Sequence, residues 1–242
     1  MLLAVFVIAF WWAGGGNLAQ PFLPKPVALP AIGGTWERVH RVFALKDAVQ
    51  AKVDKQNYTR LKDIPLIMQQ SIIAVEDNRF YSHSGFDIEG ILRATLVNLQ
   101  TGALQEGGST ITQQLVKNLF LTQERTWGRK AEEVVLAVDM ELRYSKEEIL
   151  ELYLNTIYFG SGANGITNAA KVYFGKTPAS LTLPESAMLA GLPNAPSAFS
   201  PYVDLAAAKQ RQAVVLAAMV RYGYIGPGLA QAAKDESLHM AR

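Results

Sequence analysis

Helix starts recur along this chain from residue 63 to its end, and no stretch alternates apolar and polar residues long enough to insist on a strand. Asp63 with Pro65 in the first turn, Asp87, and Ser109 or Thr110 each stand where a side-chain oxygen can cap open backbone N–H groups. Ser145-Lys-Glu-Glu148 and Thr182-Leu-Pro-Glu185 are capping boxes, Asp204 is a further cap, and Gly226-Pro227 opens a last helix. This punctuation predicts an all-α chain. Helices are expected to end near Asp77, Leu99, Asn155, Leu192 and Tyr222, with one over Thr126–Tyr144 and a short one over Ile166–Phe174. Thr156–Gly165 and Pro193–Pro201 read as loops. In the helix from Ile88, the positions Ile91, Leu92, Thr95, Leu96 and Leu99 keep helical spacing, with Arg93 off that face. In the long helix, Ala131, Val134, Val135, Val138 and Leu142 are expected to form the apolar stripe.

The first 19 residues set a different constraint. Met1–Ala13 is unbroken apolar, ends in F-W-W-A, and is extended by Gly14–Gly16 and Leu18-Ala19. That is close to the ~20 residues that cross the hydrocarbon core as a helix, and Trp11 and Trp12 suit its interface. An uncleaved anchor is the preferred reading; a cleaved signal peptide is its rival. No basic residue precedes the segment, so its orientation is not readable from charge. Residues 20–35 follow as a linker, with four prolines within Gln20–Pro30. A weakly amphipathic helix is expected between Trp36 and Tyr58, and the domain proper is expected over 36–242.

Composition removes several functions. Net charge is +2, which argues against a nucleic-acid binder dominated by phosphate contacts. No cysteine is present, so there is no disulfide framework, thiolate metal site or cysteine nucleophile. His40, His83 and His239 lie far apart in sequence, so a zinc site is not expected.

Two stretches carry chemistry. In Ala74–Asp87, an apolar run delivers Glu76 and Asp77 to the C-terminal end of a helix, just before Arg79, Phe80, Tyr81, His83 and Gly85. The negative end of a helix disfavours a carboxylate, so a partly desolvated acid there keeps a raised pKa and can take a proton. A solvated helix end explains the same residues more plainly. In Leu104–Leu121, Gly107-Gly108-Ser109-Thr110 leads into a helix whose first turns carry Gln113, Gln114 and Lys117. Exposed N–H groups at the positive helix end, with hydroxyls and a lysine nearby, make an anion site. Most such starts are only caps. Arg129 and Glu133, four apart, read on their own as a surface ion pair.

Five ordered blocks then carry a family resemblance. They are E-D-N-R-F-Y-S-H-S-G-F-D at 76–87, G-G-S-T-I-T-Q-Q-L-V-K-N at 107–118 and R-K-A-E-E-V-V-L-A-V-D-M-E-L at 129–142, then S-K-E-E-I-L-E-L-Y-L-N-T-I-Y-F-G at 145–160 and L-P-E-S-A-M-L-A-G-L-P at 183–193. Together they cover most of residues 64–201, and the chain resembles the peptidoglycan glycosyltransferases, the lysozyme-like transglycosylase family. With no S-x-x-K followed by K-T-G, it looks like the monofunctional form or a cut-out domain.

The resemblance implies a lysozyme-like large helical lobe, a smaller membrane-proximal lobe and a cleft in which Glu76 and Glu133 face each other. It implies that the chain joins lipid II units into a β-1,4 glycan with inversion at C1 and release of polyprenyl pyrophosphate. Glu76 matches the family's general base. Glu133 matches its second carboxylate, whose task is to orient a basic side chain, a metal or the leaving phosphate. Arg93, Ser109, Thr110, Gln113, Lys117, Arg125, Arg129 and Lys130 would contact substrate. No cofactor is required; magnesium or manganese is compatible with pyrophosphate beside acids, though no ligand spacing demands it. Implied partners are lipid II, the growing strand, the bilayer and cell-wall synthesis or division proteins. The implied place is the bacterial inner membrane, single-pass, with the catalytic domain on its outer side. Residues 100–108 and 121–128 are expected to be mobile. A lysozyme-like hydrolase and an inert membrane-tethered binding protein are the competing classes.

Overall fold

The computed structural model describes residues 45–93, 108–121 and 127–241. Their regular structure is helical, and the one β pairing among them is an isolated antiparallel bridge between Tyr158 and Asn164. The order is α1 (Leu45–Lys52), α2 (Leu66–Glu76), a helical segment 88–93, α3 (Ile111–Phe120), α4 (Trp127–Arg143) and α5 (Lys146–Thr156). It continues with α6 (Gly165–Phe174), α7 (Leu183–Gly191), the single turn α8 (Pro196–Phe199), α9 (Leu205–Arg221) and α10 (Pro227–Asp235).

Two packing groups meet around the functional residues. In one, α2, α7 and α9 pack on one another, with α10 against α9. In the other, α3 packs on α4 and α5, and α5 on α6. The groups are fastened ahead of α2. Thr59 N donates to Asn155 Oδ1 and Asn155 Nδ2 donates to Thr59 O, each at 2.8 Å. Glu151, one turn earlier on α5, accepts from Tyr58 OH at 2.7 Å and from Leu61 N at 2.6 Å.

Local chemistry explains most boundaries. Thr110 accepts from Gln113 N at 3.1 Å, and Gln113 Oε1 accepts from Thr110 N at 2.9 Å, a reciprocal box that starts α3. Ser145 and Glu148 start α5 in the same way, and Asp204 Oδ1 accepts from Ala207 N at the head of α9. Thr182 N donates to Glu185 Oε2 ahead of α7.

Three expectations need correction. Asp63 does not cap α2: it closes a 3-10 turn, Leu61–Asp63, and Pro65 is the residue before the first helical position. The start is instead secured by Gln69, whose Nε2 donates back to Leu61 O and Ile64 O at 3.0 and 2.9 Å. The α4 stripe is also different. Val135 and Leu142 are 58% and 79% exposed, whereas Leu136, Ala137 and Met140 are buried. Glu133 shares that buried face, three and four residues ahead of Leu136 and Ala137, and is only 2% exposed. A carboxylate holding two cations therefore occupies a place that a hydrophobic pattern gives to a valine. Lastly, the stretch expected as a loop over Pro193–Pro201 contains the turn α8.

Among the described residues no helix is long and apolar enough to cross a membrane. The expected anchor at 1–19, the linker at 20–35 and the start of the lead-in helix lie outside them, as do 94–107 and 122–126.

Candidate active site

Glu76 is the final residue of α2. Gln114, from the second turn of α3, donates through Nε2 to Glu76 Oε2 at 2.6 Å. Oε1 is buried and has no hydrogen-bond partner among the described residues. Burial raises the pKa of this carboxyl, with Asp77 pushing the same way; the Gln114 hydrogen bond, then Arg211 and Lys117, pull it down. The leading cause is thus desolvation rather than the helix end alone.

Asp77, the next residue, is built for a different task. It is buried, accepts from Ile111 N at 3.0 Å, and bonds His83 Nε2 at 2.9 Å. A carboxylate at the positive end of α3 fixes that end and folds the following loop back onto it. The loop is locked further along. Thr110 Oγ1 donates to Gly85 O at 2.8 Å, and Phe80 is fully buried with Lys146 Nζ 4.5 Å from its ring centre. Gly85 has φ +89, and a Cβ there would lie 2.9 Å from the Ala137 backbone. Both conditions require glycine. Rigid contacts thus surround the residue that follows the candidate base.

Glu133 projects from the first turns of α4. One oxygen accepts from Arg129 Nη1 at 3.0 Å, and the other is bonded by Lys130 Nζ. Lys130 Nζ also lies 3.3 Å from Ser109 Oγ, just ahead of α3. Both carboxylates thus contact the α3 region, Glu76 through Gln114 and Glu133 through Lys130.

The other expected site residues divide by environment. Thr110 and Gln113 are 2% and 1% exposed; Thr110 Oγ1 accepts from Gln113 N and donates to Gly85 O, and Gln113 Oε1 accepts from Thr110 N. Lys117 is half-buried on α3, without an ion-pair partner among the described residues, and its charge is felt at Glu76. Arg93 Nη2 donates to Asn78 Oδ1 at 3.2 Å. Arg125 lies outside the described residues. Among the described residues, no three His, Asp or Glu side chains are gathered as a metal would need.

Three residues join the site that the sequence reading did not assign to it. Gln114 is the bond to Glu76 just described. Tyr153, fully buried on α5, has its hydroxyl 3.1 Å from Gln114 Oε1. Arg211 of α9 is the third; its charge acts on Glu76. Its stem passes over Gly191, where a Cβ would fall 2.8 Å from Arg211 Cγ. Arg211 Nε donates to Gly191 O at 3.3 Å, and its guanidinium lies 5.7 Å from the Phe199 ring centre. A short local rule reveals Gln114: the Thr110 box claims Gln113 and so turns its neighbour away. Tyr153 and Arg211 come from distant sequence and give no local signal.

The fold and site define a helical domain with one buried, partly unpartnered carboxylate and one clamped between cations. The transglycosylase family model matches residues 44–220. Penicillin-binding protein 1A of Neisseria flavescens is 46% identical over 188 residues, covering 78% of this chain and 24% of that protein. Penicillin-binding protein 1A of Aquifex aeolicus is 41% identical over 225 residues, covering 93% of this chain and 30% of its own length. A crystal structure of penicillin-binding protein 1A from Haemophilus influenzae aligns at TM-score 0.47 and 27% identity, covering 76% of this chain and 18% of that one. The chain belongs to the transglycosylase family, that of the peptidoglycan glycosyltransferase enzymes. It spans about a quarter of the length of the curated relatives it matches.

Proposed function

We propose that this chain polymerises lipid II into β-1,4-linked glycan, with Glu76 as the general base. The observation that carries the reading is the state of Glu76: one oxygen held by Gln114, the other buried with no hydrogen-bond partner among the described residues, in a setting that raises its pKa. An incoming sugar 4-hydroxyl is a weak nucleophile. It gives its proton to Glu76 Oε1 as its oxygen bonds to C1 of the lipid-linked donor. The C1–O bond to pyrophosphate breaks with its electron pair, and backside attack inverts the α-linked donor to a β product.

Pyrophosphate leaves without an acid but gathers charge, which cations must meet. Lys117 supplies one, from a helix whose side chains lean toward its N-terminus. Lys130 and Arg129, with Ser109, supply more beside Glu133, and Arg93 and Arg125 complete the basic set. Glu133 orients Arg129 and Lys130. Thr110 and Gln113 act through the backbone by building the start of α3. Asp77 and Glu133 already spend their oxygens on protein partners, so a magnesium or manganese ion at the pyrophosphate would draw its ligands from the phosphates and water rather than from these two acids.

Residues 1–19 anchor the chain in the inner membrane, 20–35 form the linker, and the domain works on the outer face, where a lipid-linked substrate meets it. A hydrolase would use one of the two acids as general acid, a role the raised pKa of Glu76 also suits, and the other as base or nucleophile. Glu133 fits that second role poorly, because both its oxygens are taken by cations. The test is direct. Labelled lipid II should be converted to polymer, and finished glycan should remain uncut. Cleavage of finished glycan without polymer formation contradicts the proposal.

A further inference from the structure

The Glu76–Gln114 contact has a second layer behind it. A glutamine amide can present N–H or C=O to a carboxylate, and the two orientations differ by a flip. Behind Gln114 lies the Tyr153 hydroxyl, 3.1 Å from Oε1, on a fully buried ring. That oxygen is the hydroxyl's only hydrogen-bond acceptor among the described residues. If the amide flipped, Tyr153 would face an NH2 group and its buried O–H would lose its acceptor, which is costly.

We propose that Tyr153 is a positioning residue: its hydroxyl fixes the Gln114 amide with N–H toward Glu76 Oε2, which stabilises the ionised carboxylate and leaves Oε1 to take the proton. The inference rests on the reading of Glu76 as the base. Tyr153 sits on α5, Gln114 on α3 and Glu76 on α2, so the line of two hydrogen bonds crosses the join between the packing groups. Burial, with the charges of Glu76 and Asp77, holds the Tyr153 hydroxyl well above its ordinary pKa, so it stays a donor across the working range.

The charged groups that act on Glu76 are Arg211 from α9, Lys117 from α3 and Asp77 beside it. α7 also packs on α2; its one charged side chain, Glu185, is engaged by Lys176 Nζ and Thr182 N. Those charges raise and lower the basicity of Glu76 but leave the direction of the amide open. Tyr153 decides it.

The test is the pH profile of kcat/KM for lipid II polymerisation by the full chain in detergent. Tyr153→Phe removes only the hydroxyl. It should move the acid limb to higher pH, with about threefold to tenfold loss below the limb. The rate should recover above the limb, with KM unchanged. Gln114→Leu should move the limb further. Adding Tyr153→Phe to Gln114→Leu should move it no more, because the hydroxyl acts only through that amide. An unmoved limb in Tyr153→Phe, or a pH-independent loss that adds in full to Gln114→Leu, overturns the inference. Should Tyr153→Phe fail to fold, Gln114→Leu decides alone, and a wild-type limb there is equally fatal. The parent reading fails separately, if Glu76→Gln polymerises normally.

Discussion

The end of α2 and the start of α4 each hold a buried carboxylate, and their surroundings are opposite. Glu76 meets one neutral amide, its other oxygen has no hydrogen-bond partner among the described residues, and Arg211 and Lys117 act on it from a distance. Glu133 is bonded by two cations, one to each oxygen. The first arrangement favours taking a proton; the second holds basic side chains in place. What the two acids touch thus suits them to different tasks, which is a general way to run two roles with one side-chain type.

Apart from loss of Glu76 itself, the largest effect that can break the comparison is on the cation side of Glu76. Lys117→Ala should cost ~10²–10³ in turnover, as for a lost donor to developing charge. It should also weaken binding of a pyrophosphate-bearing inhibitor, which Glu76→Gln should spare. Lys117→Arg should restore part of the charge without the geometry. Normal turnover and inhibitor binding by Lys117→Ala would move the anion site to Arg125, Arg129 and Lys130.

Stability sharpens the comparison next. Glu133→Gln leaves Arg129 and Lys130 without their carboxylate. With Lys130 42% exposed, screening trims the penalty. About 1–3 kcal/mol is expected, and Tm should fall by about 2–10 °C. Glu76→Gln should behave in the opposite sense. The folded pKa of Glu76 lies above its unfolded value, so the unfolded chain loses this proton first and folding weakens as pH rises between the two. Wild type should therefore lose ground to Glu76→Gln as pH rises from about 4 through the raised value. A Tm difference between the two that does not change with pH in thermal unfolding scans would contradict the buried setting of Glu76.

A smaller pair tests the register that places Glu133 inside. Met140→Ala should cost about 2–5 kcal/mol, whereas Leu142→Ala should stay within about 0.5 kcal/mol. Denaturant titration of both variants checks this. Equal costs would mean that the valine-rich stripe, not the Glu133 face, is buried.

How much of this was legible in the sequence follows from range. Caps are local, so Ser145, Thr182 and Asp204 announced their helices, and the acid pair at 76–77 stood out at a helix end. The α4 register failed because its pattern gives no credit to a carboxylate that brings its own cations into the buried face. The resemblance puts Gln113 rather than Gln114 against substrate, although the box seen at Ser145 and Thr182 also applies at Thr110 and claims the first glutamine for the cap. Arg211 and Tyr153 arrive from α9 and α5 through tertiary packing, and nothing near them in sequence points to Glu76. The role of Gly85 needed the Ala137 backbone opposite it to be seen.

The central claim is that Glu76 takes the proton of the incoming hydroxyl. Its most direct test is the rate of lipid II polymerisation by Glu76→Gln, with lipid II binding and thermal unfolding measured on the same protein. The account predicts ~10²–10⁴-fold slower polymerisation by a folded enzyme that still binds lipid II. A rate close to wild type would place the base elsewhere and contradict the account.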